Sequence, residues 1–483
     1  MNKSHWLSRS LANWLFAVIL LCALALRVYH LEFHSLWSDE LTTWYEVWRP
    51  SFADFWTRFV SLELTPPLFF SGEFLVSRFF AASEWSLRLL SVLAGVGFVA
   101  ATGLFARELT GRKNDPWATV IGAAFAAFSY RAILFSQEAR SYSLLFFLTA
   151  LSGWAWLRVL NQTDCRFRKA WPYIAICILL SYTHYFGVLM IISQALSLTL
   201  VLPRRGQRLQ FALYWSTVYA VILVAFSPWL WFLHAHPMPN TALHKAVPWT
   251  EIFIAQRELF GSSSVNSLLA LLLAFSALVL SRQKRRNLAV FTWIFTPFFM
   301  ALVVTAFFKP IYGVRNYMVV LGPMLAIAAA GCADWRSKSR ALAIVLGLAF
   351  VVMGLVETVF ARHHYTRARS DQVREAIEAS VPLLRENPKS SYLLVGLVPY
   401  QPGIYLERFH SPKEFDAIYN WPDFLKTDNW PASVRAADEI VLLYFADDIR
   451  FCDDALRSLS DRYQVVSRTE LTHESTVLLR KIR

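Results

Sequence analysis

The chain has 483 residues, 56% of them hydrophobic and 16% aromatic, and its mean hydropathy of +0.39 excludes an ordinary soluble globular protein. The formal net charge of +13 does not indicate nucleic-acid binding, because residues 361–483 hold 17 Lys or Arg against 18 Asp or Glu. The positive excess lies in short segments between apolar runs, which is the pattern of a polytopic membrane protein.

Eleven apolar runs approach the length that a bilayer core requires, although two of them are short. We predict spans at about 11–29, 86–106, 116–135, 142–160, 171–183, 186–202, 211–233, 265–280, 288–307, 316–333 and 341–360. The first run follows basic residues but lacks a small-residue cleavage site, so it is interpreted as a retained span.

Residues 66–82 could cross the membrane or lie along its surface, since they are apolar but begin Pro66-Pro67 and carry Glu73 and Arg78. If they lie flat, five loops on one side hold 17 Lys or Arg in 42 residues, and the opposite loops hold 7 in 88. If they span, this bias reverses. The positive-inside rule therefore predicts an interfacial helix, a cytoplasmic N-terminus and an extracytoplasmic C-terminus in the cytoplasmic (inner) membrane.

The chain changes character after about residue 360. Four segments have the pattern of buried strands, and one has that of a helix: 392–397, 439–444, 463–466 and 476–479 for the strands, and 453–462 for the helix. We expect two domains, a transmembrane domain at 1–360 and a small extracytoplasmic α/β domain at 361–483. No catalytic motif is recognisable in the second.

An acidic pair, Asp39-Glu40, follows the first span on the predicted outer face. One interpretation is a helix start in which Ser38 or Asp39 caps a helix running through Trp44. The other is chemistry at the water–lipid boundary, because carboxylates are costly to desolvate at a membrane surface.

Further charges lie on the same predicted face. Glu138 and Arg140 follow the third span, either as a helix-end ion pair or as functional groups. Arg88, Arg315 and Lys309 run against the topological bias, and a lipid-linked phosphate is their natural counter-ion, although Arg88 could simply extend its head toward water.

His184 and Tyr185 fill a short outer turn, where the histidine is either structural or a ligand. No His-x-x-x-His, Glu-x-x-His or Cys-x-x-Cys spacing occurs near it, so no metal or cofactor is firmly implied, and a divalent metal has no support from local ligand spacing.

Several motifs in order resemble one family. They are the acidic pair, Thr65-Pro66-Pro67, the Arg88 segment, Gln137 to Tyr142, Thr183 to Tyr185, and Arg315 to Tyr317 with Pro323. Over residues 10–330 the chain resembles the family 39-type members of the C-type (GT-C) glycosyltransferase superfamily, relatives of protein O-mannosyltransferases and of the lipid A aminoarabinose transferase. Many members carry His or Lys where this chain has Thr65, which departs from the family pattern at a position of donor or metal contact.

The resemblance implies a GT-C fold and an inverting transfer of a sugar, with mannose as default, from a polyprenyl-phosphate donor. The acceptor would be a hydroxyl on a protein, lipid or glycan outside the cytoplasmic membrane. It assigns the catalytic base to Asp39, with Glu40 beside it, and the second acidic position to Glu138. Physical reasoning adds Arg88, Arg140, Arg315 and Lys309 around the donor phosphate, and Tyr142, His184, Tyr185 and Tyr317 as substrate-lining residues. The alternatives are a transporter or flippase of a lipid-linked sugar and a non-catalytic glycan-binding protein.

Overall fold

The structure is a computed structural model. It describes residues 3–63, 65–112, 115–162, 166–236, 251–261, 264–307, 313–368, 372–386, 391–395, 403–409, 416–418, 432–445, 456–457, 460–470 and 474–482. The chain divides into two compact units. The membrane unit comprises Met1–Tyr29, Val60–Gly72 and Arg88–His363, and the tail unit comprises His30–Phe59, Glu73–Leu87 and His364–Arg483.

Helices account for most of the described chain. In order they are α1 (Lys3–Val28), α2 (Ser38–Val47), α3 (Phe52–Leu62), α4 (Leu68–Val76), α5 (Glu84–Thr110), α6 (Trp117–Ala127), α7 (Tyr130–Ser136), α8 (Tyr142–Leu160), α9 (Trp171–Ser181), α10 (Tyr185–Ser197), α11 (Arg208–Ala235), α12 (Glu251–Glu258), α13 (Ser264–Leu280), α14 (Lys284–Thr292), α15 (Thr296–Phe307), α16 (Val314–Tyr317), α17 (Leu321–Arg336), α18 (Arg340–Val356), α19 (Val373–Glu386) and α20 (Gly403–Arg408). A short helix at Ala432–Ala436 follows.

Within the described residues, seven helical segments are long and apolar enough to cross a bilayer. The pair α6 and α7 is long and apolar enough only when taken together and is bent by 64°, as in a broken span or a re-entrant loop. Three shorter apolar helices lie at Trp171–Ser181, Tyr185–Val201 and Ser264–Leu280. These eleven segments coincide with the eleven predicted spans, so the polytopic helical fold is confirmed.

Within the stretch at 66–82, which could span the membrane or lie along its surface, the helix α4 has only nine residues. At 1.5 Å per residue such a helix is less than half as long as a bilayer core is thick, so it cannot span. This agrees with the interfacial helix that the charge distribution predicted.

The segment Val314–Arg336 forms the centre of the membrane unit, with 94% of its apolar window buried. Small residues at 326 and 328–331 let its neighbours approach closely, and a Cβ on Gly331 would clash with the Leu273 carbonyl of α13. In contrast, Leu209, Val224 and Trp231 on α11 are exposed, as expected for a helix that faces lipid.

The tail unit contains a five-stranded mixed sheet of β1 (Ser391–Val395), β2 (Asp416–Ile418), β3 (Glu439–Phe445), β4 (Tyr463–Glu470) and β5 (Glu474–Lys481), in the order β2-β1-β3-β5-β4. The β1 strand pairs in parallel with β2 and β3, whereas β5 pairs antiparallel with β3 and β4. α19 packs on this sheet, where the Thr476 hydroxyl donates to the Ala376 carbonyl over 3.1 Å. The four predicted strands are confirmed; half of the predicted helix 453–462, at 453–455 and 458–459, lies outside the described residues.

Candidate active site

The acidic pair opens α2, and Glu40 is the residue that caps this helix. The chain enters the helix through Trp37, whose backbone is extended at φ −87° and ψ 171°. The Trp37 N–H donates to Oε2 of Glu40 over 3.4 Å, as in the reciprocal half of a capping box. The expectation that Ser38 or Asp39 caps the helix is therefore wrong, because the helix starts one residue earlier and puts Glu40 at its third position.

Asp39 and Glu40 differ in their access to solvent. The Glu40 side chain is 1% exposed, whereas Asp39 is half-buried. The Thr43 hydroxyl donates to the Asp39 carbonyl over 3.0 Å and fixes the first turn of the helix. This difference favours Asp39 as the member of the pair that a ligand can reach.

Residues of the C-terminal segment hold the loop that precedes the pair. The Leu36 N–H donates to the Tyr405 hydroxyl over 2.8 Å, and the Arg374 N–H donates to Oγ of Ser35 over 3.0 Å. The Arg374 guanidinium also donates to the carbonyls of Glu32 and Phe33, over 2.8 and 3.1 Å. The position of the acidic pair within the tail unit therefore depends on side chains more than 300 residues away in sequence.

A buried carboxylate, that of Glu84, forms two ion pairs with arginines of the C-terminal segment. Glu84, at the start of α5, is 0% exposed and pairs with Arg374 at 3.0 Å and with Arg408 at 2.8 Å. Burial makes an uncompensated charge costly, and two guanidinium partners offset that cost.

Glu138 and Arg140 lie in the membrane unit, in the turn between α7 and α8, and each pairs with a residue distant in sequence. Oε2 of Glu138 accepts from Nη1 of Arg315 at 3.3 Å, and Nη2 of Arg140 donates to Oε2 of Glu63 at 3.3 Å. Arg140 also lies 5.4 Å from the ring centroid of Phe70, the third residue of α4. The turn thus presents two ion pairs built from three segments of the chain.

The backbone of this turn is fixed by α1. The Gln137 side-chain amide donates to the carbonyls of Arg27 and Tyr29, over 3.0 and 2.9 Å. The fully buried Arg27 guanidinium donates back to Oγ of Ser136 over 3.1 Å. Arg27 was not among the predicted site residues, although an arginine near the end of a predicted span is a sequence signal for such a contact.

His184 and Tyr142 lie near these charges, with their ring centroids 5.7 Å apart. Nδ1 of His184 accepts from the Phe186 N–H over 3.2 Å and caps α10. Burial, together with the positive charge of Arg140, lowers the pKa of His184 to about 4. A neutral imidazole with Nδ1 as acceptor fits both observations.

The remaining predicted residues lie as follows. Arg88 is buried, 2% exposed, as the fifth residue of α5. This helix packs on the turn that carries Arg140 through a 3.4 Å hydrogen bond from the Ser91 hydroxyl to the Arg140 carbonyl. The Tyr185 hydroxyl accepts from Trp229 over 3.4 Å. Tyr317 is fully buried, and its hydroxyl lies 3.0 Å from Oε1 of Gln256 and 2.9 Å from the Ile294 carbonyl. Lys309 lies outside the described residues.

The structure thus brings Glu138, Arg140, Arg315, Tyr142 and His184 into one region of the membrane unit, together with Glu63, which was not predicted from the sequence. Asp39 and Glu40 belong to the tail unit, so their convergence with this cluster stays a prediction. The described residues do not assemble three His, Cys, Asp or Glu side chains around a point where a metal could bind.

Neither protein-family models nor curated protein sequences match the chain. Among solved structures, it is similar to ArnT from Cupriavidus metallidurans in the apo state, with a TM-score of 0.62 at 14% identity, covering 97% of this chain and 98% of that one. ArnT from the same organism bound to undecaprenyl phosphate matches with a TM-score of 0.59 at 15% identity, covering 99% and 98%. The oligosaccharyltransferase AglB from Archaeoglobus fulgidus, in complex with an inhibitory peptide and a dolichol-phosphate, matches with a TM-score of 0.52 at 11% identity, covering 98% and 74%. The chain therefore has the same polytopic fold as ArnT and this oligosaccharyltransferase.

Proposed function

We propose that the protein is a membrane glycosyltransferase that moves a sugar from a polyprenyl-phosphate donor to an acceptor hydroxyl. The observation that carries this proposal is the similarity of fold to ArnT over nearly the whole of both chains, including an ArnT structure bound to undecaprenyl phosphate. The guanidinium groups of Arg140 and Arg315 at the turn between α7 and α8 support it, because guanidinium groups suit phosphate oxygens.

The reaction is a single displacement. The acceptor oxygen attacks the anomeric carbon as the bond from that carbon to the phosphate oxygen breaks, and attack from the opposite face inverts the configuration. The hydroxyl proton passes to the Asp39 carboxylate, because an un-ionised hydroxyl is a poor nucleophile. The electron pair of the broken bond leaves with the polyprenyl phosphate.

In this proposal, arginine side chains stabilise the leaving phosphate in place of a general acid. The leaving phosphate is already a good leaving group, so fixed positive charge can stabilise the developing anion without protonating it. Arg315 is 45% exposed and can be reached by a ligand, while Glu138 holds its guanidinium at 3.3 Å. Glu63 orients Arg140 in the same way. Arg88 and Lys309 complete the proposed phosphate-binding set.

The proposed setting is the outer face of the cytoplasmic membrane, with the domain at 361–483 outside. Mannose is the default sugar, and the acceptor is a protein, lipid or glycan hydroxyl.

The test is bond cleavage by the purified protein. Reconstituted in nanodiscs with polyprenyl-phosphate sugars labelled in the sugar, the protein should transfer label to an acceptor fraction and release polyprenyl phosphate. A flippase would instead move intact donor between leaflets of a vesicle, and a glycan-binding protein would retain label without cleavage. Either of these outcomes would contradict the proposal.

A further inference from the structure

Arg27 is a fully buried arginine that the proposed displacement does not use. It lies in the last turn of α1 and is 0% exposed. Removing a guanidinium from water is costly unless its N–H groups meet acceptors, and arginines within membrane segments are rare and mark functional sites. The acceptors around Arg27 therefore indicate its role.

Two of these acceptors lie at the break between α6 and α7. The helix α6 ends at Ala127, and the two helices are bent by 64° at this point. Nη2 of Arg27 donates to the Ala126 carbonyl over 3.3 Å, and Nη1 donates to the Ala127 carbonyl over 3.4 Å. The last carbonyls of a helix have no partner within it, and lipid supplies no donor, so the guanidinium stabilises the bend.

A third acceptor lies at the opposite end of α7. Nε of Arg27 donates to Oγ of Ser136, the last residue of α7, over 3.1 Å. The Ser136 hydroxyl donates its own proton to the carbonyl of Ala132, one turn earlier, so its oxygen acts as the acceptor for Arg27. One guanidinium therefore joins the end of α6 to the end of α7.

The bond between Arg27 and Ser136 is closely enclosed by α5. A Cβ on Gly95 would lie 2.1 Å from Oγ of Ser136 and 2.8 Å from Nε of Arg27, so a larger residue cannot fit without displacing the pair. Atoms of α1, α5, α6 and α7 thus meet at this one guanidinium, which leaves the Arg27 side chain little room for a second position.

The backbone of Arg27 holds the turn that follows α7. Its carbonyl accepts from the side-chain amide of Gln137, the first residue after α7, over 3.0 Å. Glu138, which pairs with Arg315, follows Gln137 directly. Arg140 lies two residues further on. Arg27 therefore contacts both α7 and the turn that carries the proposed phosphate-binding groups.

We propose that Arg27 is a positioning residue, which holds α7 and the turn at 137–141 so that the groups on this turn meet the phosphate of the lipid donor. Arg27 acts through the turn and does not touch the phosphate. The consequence for the phosphate rests on the proposed function, whereas the role of Arg27 in holding the turn does not.

Hydrogen exchange of the purified full-length protein tests whether Arg27 holds the turn. Arg27→Met keeps a long side chain without donors, so it should speed amide exchange in peptides covering 126–141 and leave β3 and β5 of the tail unit unchanged. Gly95→Ala removes no polar group but pushes a methyl group onto the bond between Arg27 and Ser136, and it should speed exchange in the same segment. Wild-type exchange at 126–141 in these variants would overturn the positioning role.

The affinity for undecaprenyl phosphate, measured on the full-length protein in nanodiscs, tests the consequence for the donor site. A turn that is correctly placed only about one tenth of the time should bind about tenfold more weakly, which is the loss expected for Arg27→Met. Gln137→Ala removes another part of the same link and should weaken binding by a similar factor. The double variant should bind about as weakly as Arg27→Met alone, because both changes act through one turn.

Two further variants separate position from charge and from general stability. Arg27→Lys keeps the positive charge but loses the fork of donors, so its affinity should stay low; wild-type affinity in this variant would show that charge is what matters and would overturn the proposal. Arg336 pairs with Asp115 at 3.2 Å, and neither residue belongs to the turn. Arg336→Met should therefore lose thermal stability without losing affinity, and equal losses of affinity from Arg27→Met and Arg336→Met would reduce Arg27 to a structural role.

The two measurements also distinguish the failure of this inference from that of the proposed function. Wild type that does not bind undecaprenyl phosphate would refute the phosphate site of the proposed function, and hydrogen exchange would still decide whether Arg27 holds the turn. Full affinity in Arg27→Met, with faster exchange at 126–141, would overturn the consequence for the phosphate.

Discussion

The Arg315 guanidinium has two proposed partners, the Glu138 carboxylate at 3.3 Å and the phosphate of a lipid donor. We expect Arg315→Ala to lower kcat/KM about 10- to 100-fold, since a hydrogen bond to a charged group contributes about 1.5–3 kcal/mol. The exchange variant Glu138→Arg with Arg315→Glu should restore thermal stability by re-forming the pair, yet leave transfer low. If the exchange recovers transfer, the pair is structural and Arg315 does not bind phosphate.

The buried His184 predicts how the stability of the protein changes with pH. Its pKa of about 4 in the folded protein lies below that of a free imidazole, so between these values only the unfolded chain binds the proton. The contribution of His184 to the free energy of unfolding should therefore be fully present above about pH 6.5 and be lost as the pH drops toward 4. The variant His184→Asn keeps a capping acceptor but has no side chain that titrates in this range. The difference between its unfolding temperature and that of wild type should therefore be smaller at low pH than at pH 7. Parallel curves across this range would contradict a neutral buried His184.

The start of α5 is held by ion pairs between Glu84 and arginines of the C-terminal segment. We predict that Glu84→Gln destabilises the protein by about 1.5–3 kcal/mol, because it removes a buried charged acceptor from two guanidinium groups, of which Arg374 keeps Glu375 at 2.6 Å. Arg408→Gln should cost about 1 kcal/mol or less, since the Arg408 side chain is 50% exposed. Thermal unfolding and limited proteolysis in detergent would measure both. Equal losses from the two variants would contradict the role given to burial.

Elements were predictable to different degrees. The positions of the apolar helices and a stretch at 66–82 that does not form a long span followed from hydropathy and charge, because a bilayer imposes one length and one charge asymmetry on every segment. The cap of α2 was not predictable, since a backbone that turns at Trp37 rather than Ser38 moves the capping role to Glu40. Tyr405, Arg374 and Glu63 were missed because their contacts cross long stretches of chain, and no local pattern encodes such contacts.

The predicted orientation of the whole molecule in the membrane places residue 338 in the cytoplasm and residue 460 outside, and this can be tested by labelling. In a cysteine-free background, Lys338→Cys should resist a membrane-impermeant maleimide in intact spheroplasts, whereas Ser460→Cys should react. Both positions are exposed in the fold, so accessibility depends on the side of the membrane. Labelling of Lys338→Cys before Ser460→Cys would reverse the predicted topology and move the acidic pair to the cytoplasm.

In the proposed reaction Asp39 takes the acceptor proton during sugar transfer. Single-turnover transfer from a labelled polyprenyl-phosphate sugar, by wild type and Asp39→Asn side by side, measures this role. A positioned general base contributes about 10²–10⁴-fold, so the rate should fall by at least about 100-fold while donor binding is retained. Transfer by Asp39→Asn at the wild-type rate would contradict the claim.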